Sequence, residues 1–182
     1  MTEDFMLIES EERINDYSGQ IREASKKPSE KLAAQSGDPL DLFRQMKFCK
    51  IGKHPVDGHD LNLVEQINQT WTYIAALKAT RKLLELHLVS GGYKLAPGAQ
   101  ASLPLDILSV NPGLVGAEVF ASVDPDNMGK LKKEVAKMAK LRKEYRYRYV
   151  FFLSPKFPCF QQHPKHENGG AQIWSLYFNT TV

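Results

Sequence analysis

Apolar positions along the chain follow two different periods, which predict helices and strands. From residue 61 to residue 88 apolar side chains return at helical spacing, so we expect a long helix that ends at the glycine pair 91–92. Because this helix is longer than usual, we expect a break near residues 78–81. A second apolar stripe, from residue 128 to residue 141, predicts an amphipathic helix with lysines on its other faces.

Extended segments occupy the rest of this region. Strands are predicted at residues 93–95, 104–110, 114–123, 147–153 and 171–178. The sequence Asn111-Pro112-Gly113 supplies a tight turn, which would join the second and third strands as an antiparallel hairpin. The predicted fold class is therefore α/β, in the order helix, three strands, helix, two strands, with a mixed sheet flanked by the helices.

The first 45 residues differ from the rest of the chain. They are acidic and weakly periodic, with enough apolar side chains near residues 5–14 for a short helix. Residues 25–41 have the composition of a linker. The whole chain, at 182 residues, is about the size of one domain. We therefore expect an acidic N-terminal arm and linker over residues 1–45 and an α/β domain over residues 46–182.

Composition disfavours several classes of protein. No apolar run approaches the roughly 20 residues that a membrane helix needs, and the acidic N-terminus lacks the layout of a signal peptide, so we expect a cytoplasmic protein. The two cysteines are far apart in sequence, which argues against a disulfide scaffold. Two fragments resemble parts of a zinc site but lack a fourth ligand at a recognisable spacing: Cys159 with His163 and His166, and His54 with His59.

The second helix and the strand after it are strongly basic. Residues 130–148 contain nine lysines and arginines but two acidic residues. Such a segment can neutralise a phosphate backbone, and Tyr145, Tyr147 and Tyr149 are available to stack on bases. A solvated helix face, with the tyrosines in the core, is the other interpretation. The residues that we predict to contact nucleic acid are Lys132, Lys133, Lys137, Lys140 and Arg142.

Two acidic residues lie inside the apolar strands of the predicted hairpin. Asp106 comes five residues before Asn111 and Glu118 five residues after Gly113, so the two acids become approximate cross-strand neighbours. Like charges placed there repel each other unless a cation or a proton lies between them. Mg²⁺ held by both carboxylates, waters and a substrate phosphate would satisfy them. Two solvent-facing acids near strand ends are the alternative.

The predicted order of elements resembles the common core of the PD-(D/E)xK, or restriction-endonuclease-like, superfamily over about residues 61–178. In this resemblance Pro104-Leu105-Asp106 takes the place of the family's Asp motif, and Glu118-Val119-Phe120 takes the place of Glu-x-Lys. The motif is short and tolerant, so the coincidence of topology and acids supports the resemblance more than the letters do.

The resemblance implies a site for Mg²⁺ or Mn²⁺ and a phosphodiesterase that acts on DNA. The ligands would be Asp106, Glu118 and the main-chain carbonyl of Val119. Family members often add an acidic residue from the first helix, for which Glu65 is the nearest candidate and Glu85 the second.

Phe120 departs from the family's pattern because it stands where the lysine of Glu-x-Lys is expected. That lysine orients the attacking water and stabilises developing negative charge. Related proteins commonly supply it from the following helix, where Lys130 and Lys133 are the candidates. Two hypotheses stay open: a working Mg²⁺-dependent DNA endonuclease, or a catalytically inactive module of this fold that binds nucleic acid or a protein partner. A third is a homodimer in which the acidic arm pairs with the basic region of a second copy.

Overall fold

The computed structural model describes residues 5–34, 36–98 and 103–182. Within these ranges the helices are α1 (Glu11–Ala33), α2 (Pro39–Phe48), α3 (Leu63–Leu86) and α4 (Lys130–Lys140). The strands are β1 (Met6–Ile8), β2 (Gly52–Lys53), β3 (Asp60–Leu61), β4 (Tyr93–Leu95), β5 (Ile107–Ser109), β6 (Val115–Ala121), β7 (Tyr147–Leu153), β8 (Gln161–Gln162) and β9 (Gln172–Leu176). Short 3₁₀ turns precede α4 and β9, at Asn127–Gly129 and Pro164–His166.

One mixed sheet of seven strands organises the described residues, in the order β1-β4-β5-β6-β7-β9-β8. The strands from β1 to β6 are antiparallel neighbours, whereas β6, β7 and β9 run parallel to one another. The crossover between β6 and β7 is made by α4. Strands β2 and β3 form a separate hairpin. The predicted α/β class, with a mixed sheet and flanking helices, is confirmed at this level.

Strands β4 and β7 have the bounds that their apolar runs predict, and β5, β6 and β9 are shorter than predicted. Helix α3 is continuous, so the expected break near residues 78–81 is wrong. Its sequence contains neither proline nor glycine, and Ala75, Ala76 and Ala79 are fully buried. Small side chains at these positions let the helix pack closely along its length, which removes any reason for a kink. Among the described helices, none combines the length and apolar character that crossing a bilayer requires.

The N-terminal segment is more structured than its composition suggests. The short helix expected near residues 5–14 is wrong at its start, because β1 pairs there with β4. The linker expected at 25–41 is largely helical, because α1 runs to Ala33 and α2 begins at Pro39. Buried residues of α1 recur every seven positions, at Ile14, Ile21 and Pro28. Residues 1–4 and 35 of the expected arm lie outside the described ranges.

The two faces of the sheet carry separate apolar clusters. Helices α1 and α3 cover one face, where Ala117 and Val119 of β6 point. Helix α4 covers the other face, where Phe120 packs. Because successive side chains of a strand alternate between faces, Glu118 lies on the α4 side with Phe120. Gly116 lies on this side too, and a Cβ there would be 2.6 Å from Leu105 and 2.9 Å from Tyr145, so only glycine lets these side chains close over the strand.

Candidate functional site

Asp106 lies directly before β5. Its carboxylate takes the place of a main-chain acceptor opposite β6. Its main-chain carbonyl accepts a hydrogen bond from the Ala96 amide at 3.0 Å, which extends the pairing with β4 by one residue. Its carboxylate accepts from the Val119 amide of β6 at 2.9 Å and more weakly from the Gly98 amide at 3.4 Å. The carboxylate is therefore fixed by main-chain donors from two sides.

Glu118 lies in the middle of β6, and it is 6% exposed. The register that pairs Ile107 with Ala117 puts Asp106 opposite Glu118. The two carboxyl groups lie within hydrogen-bonding reach of each other. The structure thus brings together the two acids that the sequence singles out, on the face of the sheet that α4 covers.

The electrostatics of this pair follow from its burial. Burial and then the neighbouring Asp106 charge raise the pKa of Glu118 to about 8, although Lys137 acts in the opposite direction. Burial also raises the pKa of Asp106, against the hydrogen bond from the Val119 amide. Two neighbouring carboxyl groups, one buried and one half-buried, share a proton more readily than they both ionise. A bound divalent cation would take over the role of that proton.

The lysine that contacts the pair is Lys137 of α4, whose Nζ lies 2.5 Å from Glu118 Oε1. Lys130 instead pairs with Glu134 at 2.8 Å and lies over the Phe120 ring. Lys133 is exposed, one turn before Lys137 on the same side of the helix. The helix starts later than the sequence predicts, because Asn127–Gly129 form a 3₁₀ turn and α4 begins at Lys130. The signal for Lys137 was its position beside the buried stripe, next to Met138.

Phe120 belongs to the apolar cluster beneath α4. It is 5% exposed, and its ring stacks on Phe152 at 6.0 Å between centroids. The position two residues after Glu118 therefore serves the core, and the ammonium group beside Glu118 comes from the helix.

Helix α3 brings the amide side chain of Gln69 to this region, whereas its two candidate acids, Glu65 and Glu85, form contacts elsewhere. Glu65 forms a capping box with Asn62 at the start of α3, and Glu85 pairs with Lys82 at 2.8 Å. Gln69 lies beside Gly98, since a Cβ built on that glycine would be 3.3 Å from Gln69 Oε1. Gly98 in turn donates to Asp106, so Gln69 and Asp106 lie beside the same residue.

A groove of about 450 Å³ lies between α4 and the segment before β5, and Lys137 connects it to Glu118. Its walls include Pro104, Tyr145 and three lysines spaced along one side of α4, at Lys133, Lys137 and Lys140. The other predicted nucleic-acid contacts, Lys132 and Arg142, are exposed outside the residues that line this groove. A polyanion that entered the groove would meet Lys137 and, behind it, Glu118.

The remaining side chains of the basic segment are divided between groove and core. Arg148 is buried, and its guanidinium donates to the carbonyls of Met138 and Gly169 at 3.2 and 2.7 Å. Tyr149 is buried as well, and Tyr147 packs against His87. Of the three tyrosines considered for base stacking, Tyr145 is the one that lines the groove.

Comparisons with protein-family models, with curated proteins and with solved structures give no significant match for this chain. The chemistry of the site therefore has to be argued from its own residues.

Proposed function

We propose that this chain is a Mg²⁺-dependent phosphodiesterase that acts on DNA, with Asp106 and Glu118 as its metal ligands. The observation on which the proposal depends is the contact, at 2.5 Å, of the helix lysine Lys137 with the buried Glu118, whose partner Asp106 is half-buried. That lysine would take the role that we predicted for Lys130 or Lys133. The arrangement supplies acid, acid and ammonium together, which are the three groups that the resemblance asks for.

The donor set suits a hard cation. Asp106 and Glu118 offer carboxylate oxygens, which Mg²⁺ and Mn²⁺ prefer, and no nitrogen or sulfur ligand is needed. The Val119 amide points at Asp106. Because the amide and carbonyl of one strand residue point to the same side, the Val119 carbonyl faces this edge as well. When bound, Mg²⁺ would polarise a substrate phosphate and lower the pKa of a bound water.

Lys137 is placed to stabilise charge on the substrate. Its side chain is 45% exposed, so the ammonium can contact Glu118 at one end of its range and a phosphate in the groove at the other. Donors aimed at developing negative charge are usually the largest contribution that a site makes to such a reaction. Asp106, held by two amides, fixes the ligand geometry with little reorganisation.

The topology and the groove support the same proposal. The run of α3, β4, β5, β6, α4 and β7 has the order on which the resemblance depends, with an antiparallel meander before α4 and a parallel strand after it. The groove places Lys133 and Lys140 on either side of Lys137 along the helix. Cations in this spacing can follow a phosphate backbone.

A second candidate function is a catalytically inactive module that binds nucleic acid or a protein partner. The observation that favours it is the neutralisation already present in the site. Lys137 pairs with Glu118, and the raised pKa of Glu118, to about 8, lets the carboxyl pair share a proton without any metal.

Incubation of the purified chain with supercoiled and linear DNA in Mg²⁺ or Mn²⁺ separates the two functions. We expect cleavage that is lost on addition of a chelator and in Asp106→Asn, with Asp126→Asn, an exposed aspartate outside the site, as the matched control. Salt-sensitive DNA binding without cleavage by the wild-type chain would favour the module. Cleavage that survives both Asp106→Asn and Glu118→Gln would remove this site from consideration.

A further inference from the structure

A second cluster of potential ligands lies in the β2–β3 hairpin, outside the carboxylate site. The hairpin pairs Lys53 with Asp60, and the next main-chain bond joins the His54 amide to the His59 carbonyl at 2.8 Å. The two histidines are thus cross-strand neighbours at the end of the ladder. The turn between them closes through a hydrogen bond from the Gly58 amide to the His54 carbonyl, and Gly58 adopts φ +75°. This left-handed conformation suits glycine and turns Asp57 back toward the histidines.

The three side chains converge on one point. Asp57 Oδ1 lies 3.1 Å from His54 Nδ1 and 2.6 Å from His59 Nδ1. One ligand atom from each residue lies within 4.8 Å of the other two. The imidazole rings stack with centroids 4.7 Å apart and planes 13° from parallel, so the rings present their Nδ1 atoms on the same side.

The His54 ring is held in this orientation. Its side chain is 11% exposed, and Tyr73 contacts it edge-on at 5.4 Å. The amides of Val56 and Asp57 donate long hydrogen bonds to its Nδ1 at 3.4 and 3.3 Å. A neutral imidazole nitrogen is the form that binds metal ions, so a bound ion would replace these two weak contacts.

We propose that His54, Asp57 and His59 form a binding site for a divalent transition metal ion such as Zn²⁺, with water in the fourth position. Two imidazoles and one carboxylate match the ligands that Zn²⁺ takes, whereas Mg²⁺ prefers oxygen ligands alone. Bonds of about 2.0–2.2 Å in a tetrahedron separate neighbouring ligand atoms by about 3.3 Å. The distance from Asp57 Oδ1 to His54 Nδ1, 3.1 Å, needs to widen by only a few tenths of an ångström. The distance from Asp57 Oδ1 to His59 Nδ1, 2.6 Å, needs to widen somewhat more. Binding would replace the contact between His59 Nδ1 and Asp57 Oδ1.

The site would connect the hairpin more firmly to the helices beneath it. The Lys53 amide donates to Gln66 Oε1 of α3 at 3.0 Å, and Gln66 Nε2 donates to the Ala24 carbonyl of α1 at 3.0 Å. Val56, inside the turn, packs against the core cluster on this face of the sheet. A metal ion that fixes the turn would therefore stabilise the packing of α1 and α3 as well, and the stabilisation would grow with the logarithm of the ratio of its free concentration to its Kd.

Calorimetric titration of the full, metal-free and untagged chain with Zn²⁺ tests the site, with Co²⁺ absorption as a readout of tetrahedral coordination. We expect one tightly bound Zn²⁺ per chain, a rise in melting temperature on binding, and at least tenfold weaker binding in His59→Ala and in Asp57→Asn. His59 and Asp57 are exposed, so both variants should fold. His166→Ala removes an exposed histidine outside the cluster and should bind as the wild type does. Glu118→Gln should also bind normally, which distinguishes this site from the carboxylate pair.

Absence of Zn²⁺ binding by the wild-type chain would overturn the proposal. So would binding that His59→Ala leaves unchanged, or that His166→Ala or Glu118→Gln weakens as much as His59→Ala does. Because the hairpin cluster does not depend on cleavage of DNA, either proposal can fail while the other stands.

Discussion

The carboxylate pair and the hairpin cluster differ in how the chain assembles them. Asp106, Glu118 and Lys137 come from a loop, a strand and a helix, and they meet only because the sheet and α4 have formed. His54, Asp57 and His59 lie within six consecutive residues, and a single turn brings them together. The first arrangement reports on the whole fold, whereas the second depends mainly on local geometry.

The two clusters also differ in what their surroundings demand. Glu118 is almost fully buried, so its charge must be balanced by a proton, by Lys137 or by a metal ion. Asp57 has a side chain that is 61% exposed, so water can balance its charge. The burial of Glu118 thus makes a neutralising partner necessary, whereas the exposure of Asp57 makes one merely possible.

Replacement of Lys137 should have the largest effect. If this lysine stabilises charge in the reaction, Lys137→Ala should lower the rate of DNA cleavage by about 10²–10³-fold, the range found when one such donor is removed. Lys132→Ala is the matched control on the same helix, since its side chain is exposed and does not line the groove. Single-turnover cleavage assays measure both. Equal losses in the two variants would indicate a general electrostatic effect and not a specific role for Lys137.

The stability of the protein should depend on pH through Glu118. Its pKa rises from 4.5 to about 8 on folding, so the folded state keeps a proton that the unfolded state has lost. The free energy of unfolding should therefore fall as pH rises from about 4.5 to about 8, by an amount on the order of a few kcal/mol. Urea denaturation at several pH values should show this slope in the wild type and a flatter curve in Glu118→Gln. Glu85→Gln, at an exposed ion pair, should keep the wild-type slope.

DNA binding should depend on the lysines that line the groove more than on the basic residues outside it. Charge reversal at both Lys133 and Lys140 should weaken binding at least tenfold and reduce its dependence on salt, because each lost phosphate contact lowers the slope by about 0.9. The comparison variant is Lys132→Glu with Arg142→Glu, which changes the same total charge outside the groove. Fluorescence anisotropy over a range of salt concentrations gives both quantities. Similar losses in the two double variants would contradict a groove-directed contact.

Acidification should lower the free energy of unfolding through Asp57. This is the opposite direction from the effect of Glu118, and it should be the smallest of the four effects. Burial alone would raise the pKa of Asp57, but hydrogen bonds from the His59 amide and ring outweigh it and lower that pKa. The stabilising effect of the Asp57 carboxylate is therefore present above its unfolded value of 3.8 and disappears as pH falls through the lowered folded value. In denaturation experiments Asp57→Asn should lose this small acid sensitivity. A variant with the wild-type acid response would show that these hydrogen bonds contribute nothing to stability.

The sequence predicts most of the sheet but only part of either cluster. A dense apolar run made β7 predictable to the residue, the short and weak run at 93–95 also coincides with β4, and the symmetric spacing about the 111–113 turn predicted the Asp106–Glu118 pairing. Helix α1 was missed because it buries only one residue in each two turns, at Ile14, Ile21 and Pro28. A helix with so few apolar positions among its charged residues has a composition similar to that of a linker.

The lysine and the histidines were harder to predict for a geometric reason. Lys130, Lys133 and Lys137 share one side of α4 at spacings of three and four residues, so sequence spacing alone does not reveal that Lys137 is the one that contacts Glu118. His54 and His59 stood out as a loose pair, but Asp57 joins them only through the left-handed Gly58. In the other zinc-like fragment, His163 bonds to Ser175 at 3.0 Å, so a similar spacing leads to a structural contact instead.

Phe120 limits how this site can be rebuilt. Its ring lies on the same face as Glu118, closed in by Phe152 and the apolar side of α4. A lysine at position 120 would need to place its ammonium among those side chains, or else displace them. The corner beside Glu118 therefore accepts a positive charge from the helix and not from the strand. Replacement of Phe120 by lysine would require a redesign of the packing beneath α4 in the same step, because Glu118 and this half of the core share one face of the sheet.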